Sequence, residues 1–233
     1  MDFRNDTLTG GAVTGGSDGC INFNDPTNNG LSECVQTLGL PALYSTYCDV
    51  VSLADFFVII SEAVMARTHH SYNPDVMFAS GAVSTNFRNN FRFGRETADT
   101  CPEAVDLVPK ADDGCGGIKD AFHDHIFVKE TTGMTWRYVS ALSAVHGLGR
   151  AKLENNGFDG FFSDADNVGK FSNDYFSQVL ANGWSPERNV GGNPNKVQWQ
   201  RADQGKNDAH KQIMLDSDLC LAYQNNIRCG ARD

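Results

Sequence analysis

Tyr138-Val139-Ser140-Ala141-Leu142-Ser143-Ala144-Val145-His146-Gly147-Leu148-Gly149-Arg150-Ala151-Lys152 decides how the rest of this chain reads. Val139, Leu142, His146 and Gly149 recur at i, i+3, i+7 and i+10, which is helical spacing, so His146 shares a face with aliphatic side chains. Ala141, Ser143, Ala144, Gly147 and Gly149 keep its neighbourhood small, so a bulky group can come close. The two glycines predict a helix end, with Arg150 and Lys152 complementing the dipole there. An imidazole so placed can face a ligand or a metal. On spacing alone a core histidine bonded to a carbonyl is the plainer reading.

Working outward, the wording of the stretch and its continuation, Leu153-Glu154-Asn155-Asn156-Gly157-Phe158-Asp159-Gly160-Phe161-Phe162, resembles the proximal helix of the plant, fungal and bacterial heme peroxidase superfamily, where A-L-x-G-A-H-x-L-G-R is typical. The resemblance implies that His146 is the axial ligand of a heme b iron, with Arg150, Lys152 and Phe162 beside the cofactor. Neutral imidazole binds iron through one nitrogen, and its other N–H needs an acceptor to set its basicity. Ile213-Met214-Leu215-Asp216-Ser217-Asp218-Leu219 resembles the M-L-P-T-D-x-x-L of cytochrome c peroxidase, and puts Asp218 in the place of that acceptor. Without the resemblance, Asp218 is an ordinary cap or loop acid.

Further segments agree in order. Gly15-Gly16-Ser17-Asp18-Gly19-Cys20 resembles a family G-G-x-D-G-S segment whose Asp and Ser are calcium ligands in some members. Asp18 matches, but Cys20 replaces the Ser, and a thiol offers no oxygen to a hard cation; an Asp-Gly turn is the plainer reading. Asp25-Pro26-Thr27-Asn28-Asn29-Gly30-Leu31 is similar to the N-D-P-S-N-A-G-L of cytochrome c peroxidase, so Asn28 takes the place of the Asn that orients the distal His. Phe93-Gly94-Arg95 matches a G-R-x-D stretch that is mostly structural. Phe171–Leu180 resembles F-x-N-x-Y-F-x-x-L-L, a helix leading to Trp184.

The distal side breaks the pattern. Peroxide cleavage needs a His as acid and base and an Arg that stabilises developing charge, written R-x-x-[FW]-H in the family. Here Met1-Asp2-Phe3-Arg4-Asn5-Asp6 corresponds. With Phe3 as the aromatic, Arg4 occupies the His position and the distal Arg precedes Met1. With Arg4 as the distal Arg, Leu8 falls where His belongs. Residues 1–20 contain no histidine, and a guanidinium is no base near neutral pH. Phe162 stands where cytochrome c peroxidase has a radical-bearing tryptophan, and Gly147 where many members have Ser or Thr.

Elsewhere the residues predict elements without chemistry. A short helix over 31–39 ends before Pro41. Ser52-Leu53-Ala54-Asp55 is a capping box for a helix with a core stripe of Leu53, Phe56, Phe57, Ile60 and Val64. His69 and His70 fall in a polar loop after it, as surface residues. Residues 71–117 are loop-rich, Phe122, Ile126 and Phe127 suggest a short helix with His123 and His125 exposed, and 185–210 read as a hairpin or surface loop.

Composition narrows the class. The 233 residues allow one domain spanning 1–233, without the usual N-terminal and C-terminal extensions of the family. The net charge of −10 argues against nucleic acid or an anionic membrane as partner, and no apolar run approaches the roughly 20 residues that span a bilayer. Seven cysteines without a CxxC knuckle point to disulfides in an oxidising, extracellular compartment. Local loops suggest Cys101 with Cys115 and Cys220 with Cys229, although pairing does not follow from sequence. Nothing at the N-terminus reads as a signal peptide, and the odd cysteine count suggests that Met1 is not the true start.

The expected architecture is mostly α, a heme peroxidase-like helical fold with long loops and little β. The expected functions are one-electron oxidation of a small-molecule donor by peroxide, a non-catalytic secreted relative serving an extracellular protein assembly, or carriage of heme or a small ligand with Arg4 as an anion-binding group.

Overall fold

Ser52 starts the longest helix among the described residues, α3 (Leu53–Tyr72). Its hydroxyl accepts the N–H of Asp55 at 3.1 Å, the forward half of the expected capping box. The Asp55 carboxylate does not reach back. It accepts the Gly94 N–H at 2.8 Å and the Arg95 guanidinium at 2.7 Å, so the Phe93-Gly94-Arg95 stretch ties residues 91–98 to the start of α3. Asp55 is buried, as are Ala54, Phe56 and Ala66 among the described apolar side chains of this helix. The expected core stripe is shallower than its pattern: Phe56 is buried, Leu53, Phe57 and Ile60 are half-buried, and Val64 is exposed. The helix runs on to Tyr72, so His69 and His70 are helical and not in a loop; the His70 side chain lies outside the described residues.

The computed structural model describes residues 4–5, 13–14, 16–72, 85–101, 108–127 and 135–223. Two units result, Met1–Ala104 and Val105–Asp233. The fold is mostly helical with little strand. In the first unit, β1 (Arg4–Asn5) pairs antiparallel with β2 (Val13–Thr14), Arg4 opposite Thr14. A 3-10 turn at Pro26–Asn28 is capped by Asp25, which accepts the Thr27 N–H at 2.9 Å. Helices α1 (Leu31–Thr37) and α2 (Leu40–Tyr44) follow, the second with Pro41 in its first turn, where a missing N–H costs nothing. The short helix α4 is Thr85–Asn90.

In the second unit, α5 (Gly114–Ile118) continues into a π-helical stretch, Lys119–Ile126, where a short helix was expected. Then come α6 (Thr135–Ser143), a 3-10 turn (Ala144–Gly147), β3 (Arg150–Ala151), α7 (Leu153–Asn156), β4 (Gly160–Phe161), α8 (Asp174–Ala181), β5 (Trp184–Arg188), β6 (Val197–Arg201), β7 (Ile213–Met214) and α9 (Asp216–Leu219). β5 and β6 form a hairpin, one of the two alternatives read for 185–210, beginning at Trp184, and β7 pairs antiparallel with β6. β3 pairs with β4, Arg150 opposite Phe161. Gly160 must be glycine: its φ is 150°, and a Cβ there would lie 2.6 Å from Ile213 Cγ2 and 2.8 Å from the Lys211 carbonyl oxygen. The core gathers Phe158, Phe162, Tyr175, Val179, Trp199, Ile213, Met214, Leu215 and Leu219. It is therefore built from α8, β6, β7 and α9 together with residues flanking β4.

The disulfide expectation is corrected. Cys20 pairs with Cys101 and Cys115 with Cys220, across 81 and 105 residues of chain. Local loop closure was the wrong guide, because α5 and the end of α9 pack together and bring the Cys115 and Cys220 Cα atoms to 5.0 Å. Among the described residues Cys34 and Cys48 are free, exposed thiols; Cys229 lies outside them.

Candidate functional site

The segment carrying His146 is not the uninterrupted helix that its spacing predicts. The α-helix stops at Ser143, whose hydroxyl bonds back to the Val139 carbonyl at 2.9 Å, and the chain tightens into the 3-10 turn. Ser163, almost fully buried, donates to the Gly147 carbonyl at 2.6 Å and fixes that turn from below. Gly147 is small for a packing reason: a Cβ there would come within 3.3 Å of the Tyr175 Cβ. Gly149, at φ 84°, releases the chain into β3. Arg150 and Lys152 consequently follow the turn and do not cap a helix.

The turn holds His146 against the core. Its Nδ1–H donates to Asp218 Oδ1 at 2.7 Å, a contact between residues 72 positions apart. The acceptor fixes the tautomer, because a carboxylate cannot donate. Asp218 is 2% exposed and serves further donors: the Tyr175 hydroxyl reaches the same oxygen at 2.7 Å, and the Leu215 N–H reaches Oδ2 at 2.7 Å. The last bond is a helix-start contact, so α9 itself aims the carboxylate. Phe162 stacks on the imidazole, centroids 4.7 Å apart and planes 24° apart, while Tyr175 meets it edge-on at 6.1 Å and 89°.

These contacts set the protonation of the group. Burial works to lower the His146 pKa, but the charge and hydrogen bond of Asp218 outweigh it and the pKa is raised above the ordinary value. Burial, then the charge and hydrogen bond of Asp218, push the Tyr175 phenol far above its ordinary range, so it remains a donor at any physiological pH. The His146 side chain is 39% exposed, and Nε2 has no partner among the described residues. A neutral imidazole with a carboxylate on one nitrogen and an open lone pair on the other suits iron or another borderline metal. On that donor chemistry, the residues fit an axial heme ligand.

Arg150 bonds Asp159 at 2.6 Å and lies over the Phe161 ring at 4.8 Å, and Lys152 is exposed. Asn28 Nδ2 donates to the Asn22 carbonyl at 3.0 Å and stitches a local turn. Asp18 accepts the Cys20 N–H at 3.0 Å, the turn that its sequence suggests, and the Cys20 sulfur is committed to a disulfide. Among the described residues no three His, Cys, Asp or Glu side chains gather as a metal site. The Arg4 backbone is paired in β1, while its side chain, Met1-Asp2-Phe3 and Leu8 lie outside the described residues. His123 is partly covered, bonded to Asp124 at 2.6 Å and set against Trp136 with the rings tilted by 39°.

Sequence reading missed Tyr175 as part of this group. Its spacing to Val179 marks a buried helix face, and a buried tyrosine needs an acceptor. Which acceptor it finds depends on the packing of α8 against α9.

No family model matches the chain. Curated proteins do. A protein described as a heme-binding peroxidase of Pyricularia oryzae is 29% identical over 219 residues, covering 89% of this chain and 61% of that protein. Mitochondrial cytochrome c peroxidase of Candida glabrata is 32% identical over 110 residues, 47% of this chain and 27% of that protein. L-ascorbate peroxidase 3 of Arabidopsis thaliana is 28% identical over 174 residues, 72% of this chain and 50% of that protein. The chain thus spans less than two thirds of the length of each of these relatives.

Proposed function

From the premise that the chain is a distant homologue of the heme peroxidases, cytochrome c and ascorbate peroxidases included, we propose that it binds heme b through His146 Nε2 and acts in peroxide-dependent one-electron oxidation. The bond between His146 and Asp218 carries this reading, since a surface histidine has no need of a buried carboxylate at 2.7 Å. When bound, heme supplies the redox chemistry and the site for peroxide. The chain's own residues do the rest. Asp218 holds the imidazole tautomer and polarises the ring, Phe162 fixes the ring plane, and Leu215 and Tyr175 keep the carboxylate in place. Arg150, Lys152, Arg4 and Asn28 are proposed around the cofactor on family resemblance alone, and Asp18 is not proposed to bind calcium.

General acid–base help is worth on the order of 10²–10⁴ in rate; residues 1–20 contain no histidine, so efficient turnover needs a base from another segment. A second reading therefore stands beside the first: a secreted, non-catalytic relative in an extracellular assembly, favoured by the disulfides Cys20–Cys101 and Cys115–Cys220. No described helix is long and apolar enough to cross a membrane.

Titration of the purified chain with hemin, followed in the Soret region, tests the binding. A saturable band typical of histidine-ligated heme, lost in His146→Ala, is expected. Equal hemin uptake by both proteins rejects His146 as the ligand. Steady peroxide-driven oxidation of a phenolic dye separates the two functional readings: sustained turnover removes the second, and heme binding without turnover favours it.

A further inference from the structure

Asp218 Oδ1 is shared. It accepts from His146 Nδ1 and from the Tyr175 hydroxyl, each at 2.7 Å, while Oδ2 is taken by the Leu215 N–H. An oxygen serving two donors offers each less charge than it would offer one, and in a buried site this competition is not diluted by water. Tyr175 is fully buried and Asp218 almost so. The hydroxyl therefore cannot turn outward, and no solvent molecule replaces it easily. The phenol also approaches the imidazole edge-on while Phe162 covers its face, so ring orientation and acceptor strength are set by separate residues.

We infer that Tyr175 is a positioning residue that attenuates the pull of Asp218 on His146, and so sets how much imidazolate character reaches Nε2. It touches no ligand and works through the carboxylate. The consequence for a metal centre rests on the reading of His146 as the heme ligand; the consequence for the His146–Asp218 bond does not. A tyrosine merely satisfying its own hydroxyl would affect stability and leave the imidazole N–H unchanged.

The test starts with the heme-free full chain, labelled with ¹⁵N-histidine, in which the His146 Nδ1–H proton is observed by NMR. Tyr175→Phe is expected to move that proton downfield, because Oδ1 then serves one donor and the bond tightens. An unmoved resonance overturns the inference. Should Tyr175→Phe not fold, 3,5-difluorotyrosine incorporated at position 175 keeps the shape and is a stronger donor. It must move the resonance upfield, and no movement again overturns the inference. In heme-loaded protein, Tyr175→Phe is expected to raise the ferrous iron–imidazole stretching frequency and lower the reduction potential, with the Soret band of a histidine-ligated heme retained; unchanged values overturn the link to the metal. If the chain takes up no heme, the proposed function fails, and the NMR comparison still decides the role of Tyr175.

Discussion

Phe162 lies almost parallel to His146, ring centroids 4.7 Å apart and planes inclined by 24°. The contact links a core residue, 6% exposed, to the one imidazole that keeps an open nitrogen beside the buried carboxylate. Packing and the orientation of the imidazole are thus one structure. Phe162→Ala should lower the unfolding free energy by about 3–5 kcal/mol. It should also free the His146 ring to tilt, weakening hemin uptake beyond what the stability loss explains. Urea denaturation beside Soret titration measures both, and an unchanged hemin affinity would show the stack to be packing only.

Asp218 serves donors on His146, Tyr175 and Leu215. Asp218→Ala leaves buried donors without an acceptor, and each costs about 1–3 kcal/mol. Asp218→Asn keeps one oxygen and should lose less. In both variants hemin affinity should fall roughly 10–100-fold, the usual effect of removing the carboxylate partner of a ligating histidine. Equal affinity in wild type and Asp218→Asn would count against the carboxylate as a partner of a metal ligand.

Gly160 brings β4 close to Ile213 and the Lys211 carbonyl at φ 150°. Gly160→Ala adds both backbone strain and overpacking, each about 1–3 kcal/mol. A thermal or urea midpoint close to that of wild type would contradict the close approach of these strands. The effect should be far larger than that of alanine at Gly169, where a Cβ meets nothing within 4 Å.

The Cys115–Cys220 disulfide closes 105 residues of chain. Replacing both cysteines with alanine should cost about 2–5 kcal/mol, chiefly by freeing the unfolded chain. Non-reducing peptide mapping checks the pairing directly. A Cys101–Cys115 peptide in place of Cys20–Cys101 would restore the local-loop pattern that the folded chain contradicts.

Asp55 links α3 to Arg95. Burial opposes its ionisation, but the Gly94 N–H and the Arg95 guanidinium outweigh burial and hold its pKa below the ordinary carboxylate value. The unfolded chain therefore binds more protons than the folded one near pH 4. The stability that Asp55 contributes is complete above about pH 4 and is lost as pH falls through the lower folded value. Asp55→Asn should be less stable than wild type at pH 6, and the gap should shrink toward pH 3. A gap that stays constant or widens on acidification would show that this carboxylate is not the linked group.

How far could the residues alone go? The order of the motifs from Asp18 to Asp218 is legible because helical spacing, caps and turn residues act locally: Ser52 begins its helix, Asp25 caps its turn, and the 185–210 region makes its hairpin. Where local rules competed with packing, the reading slipped. The His146 helix ends early, where the Ser143 hydroxyl bonds the Val139 carbonyl and Gly147 packs close to Tyr175. The stripe on α3 is covered at Phe56 and bare at Val64, which periodicity cannot distinguish.

The sequence by itself determined that a histidine and an aspartate would be available in this order, inside a mostly helical chain similar to heme peroxidases. Short-range propensity and wording suffice for that. The wording also named Asp218 as the acceptor for His146. Only the tertiary structure decided the 2.7 Å geometry of that contact, that Tyr175 shares the oxygen, that Phe162 covers the ring, and that Cys115 joins Cys220. Each of these joins residues far apart in the chain. Such contacts form when α8, β6, β7 and α9 bury apolar side chains in one core, and no local pattern encodes which partners that burial brings within reach.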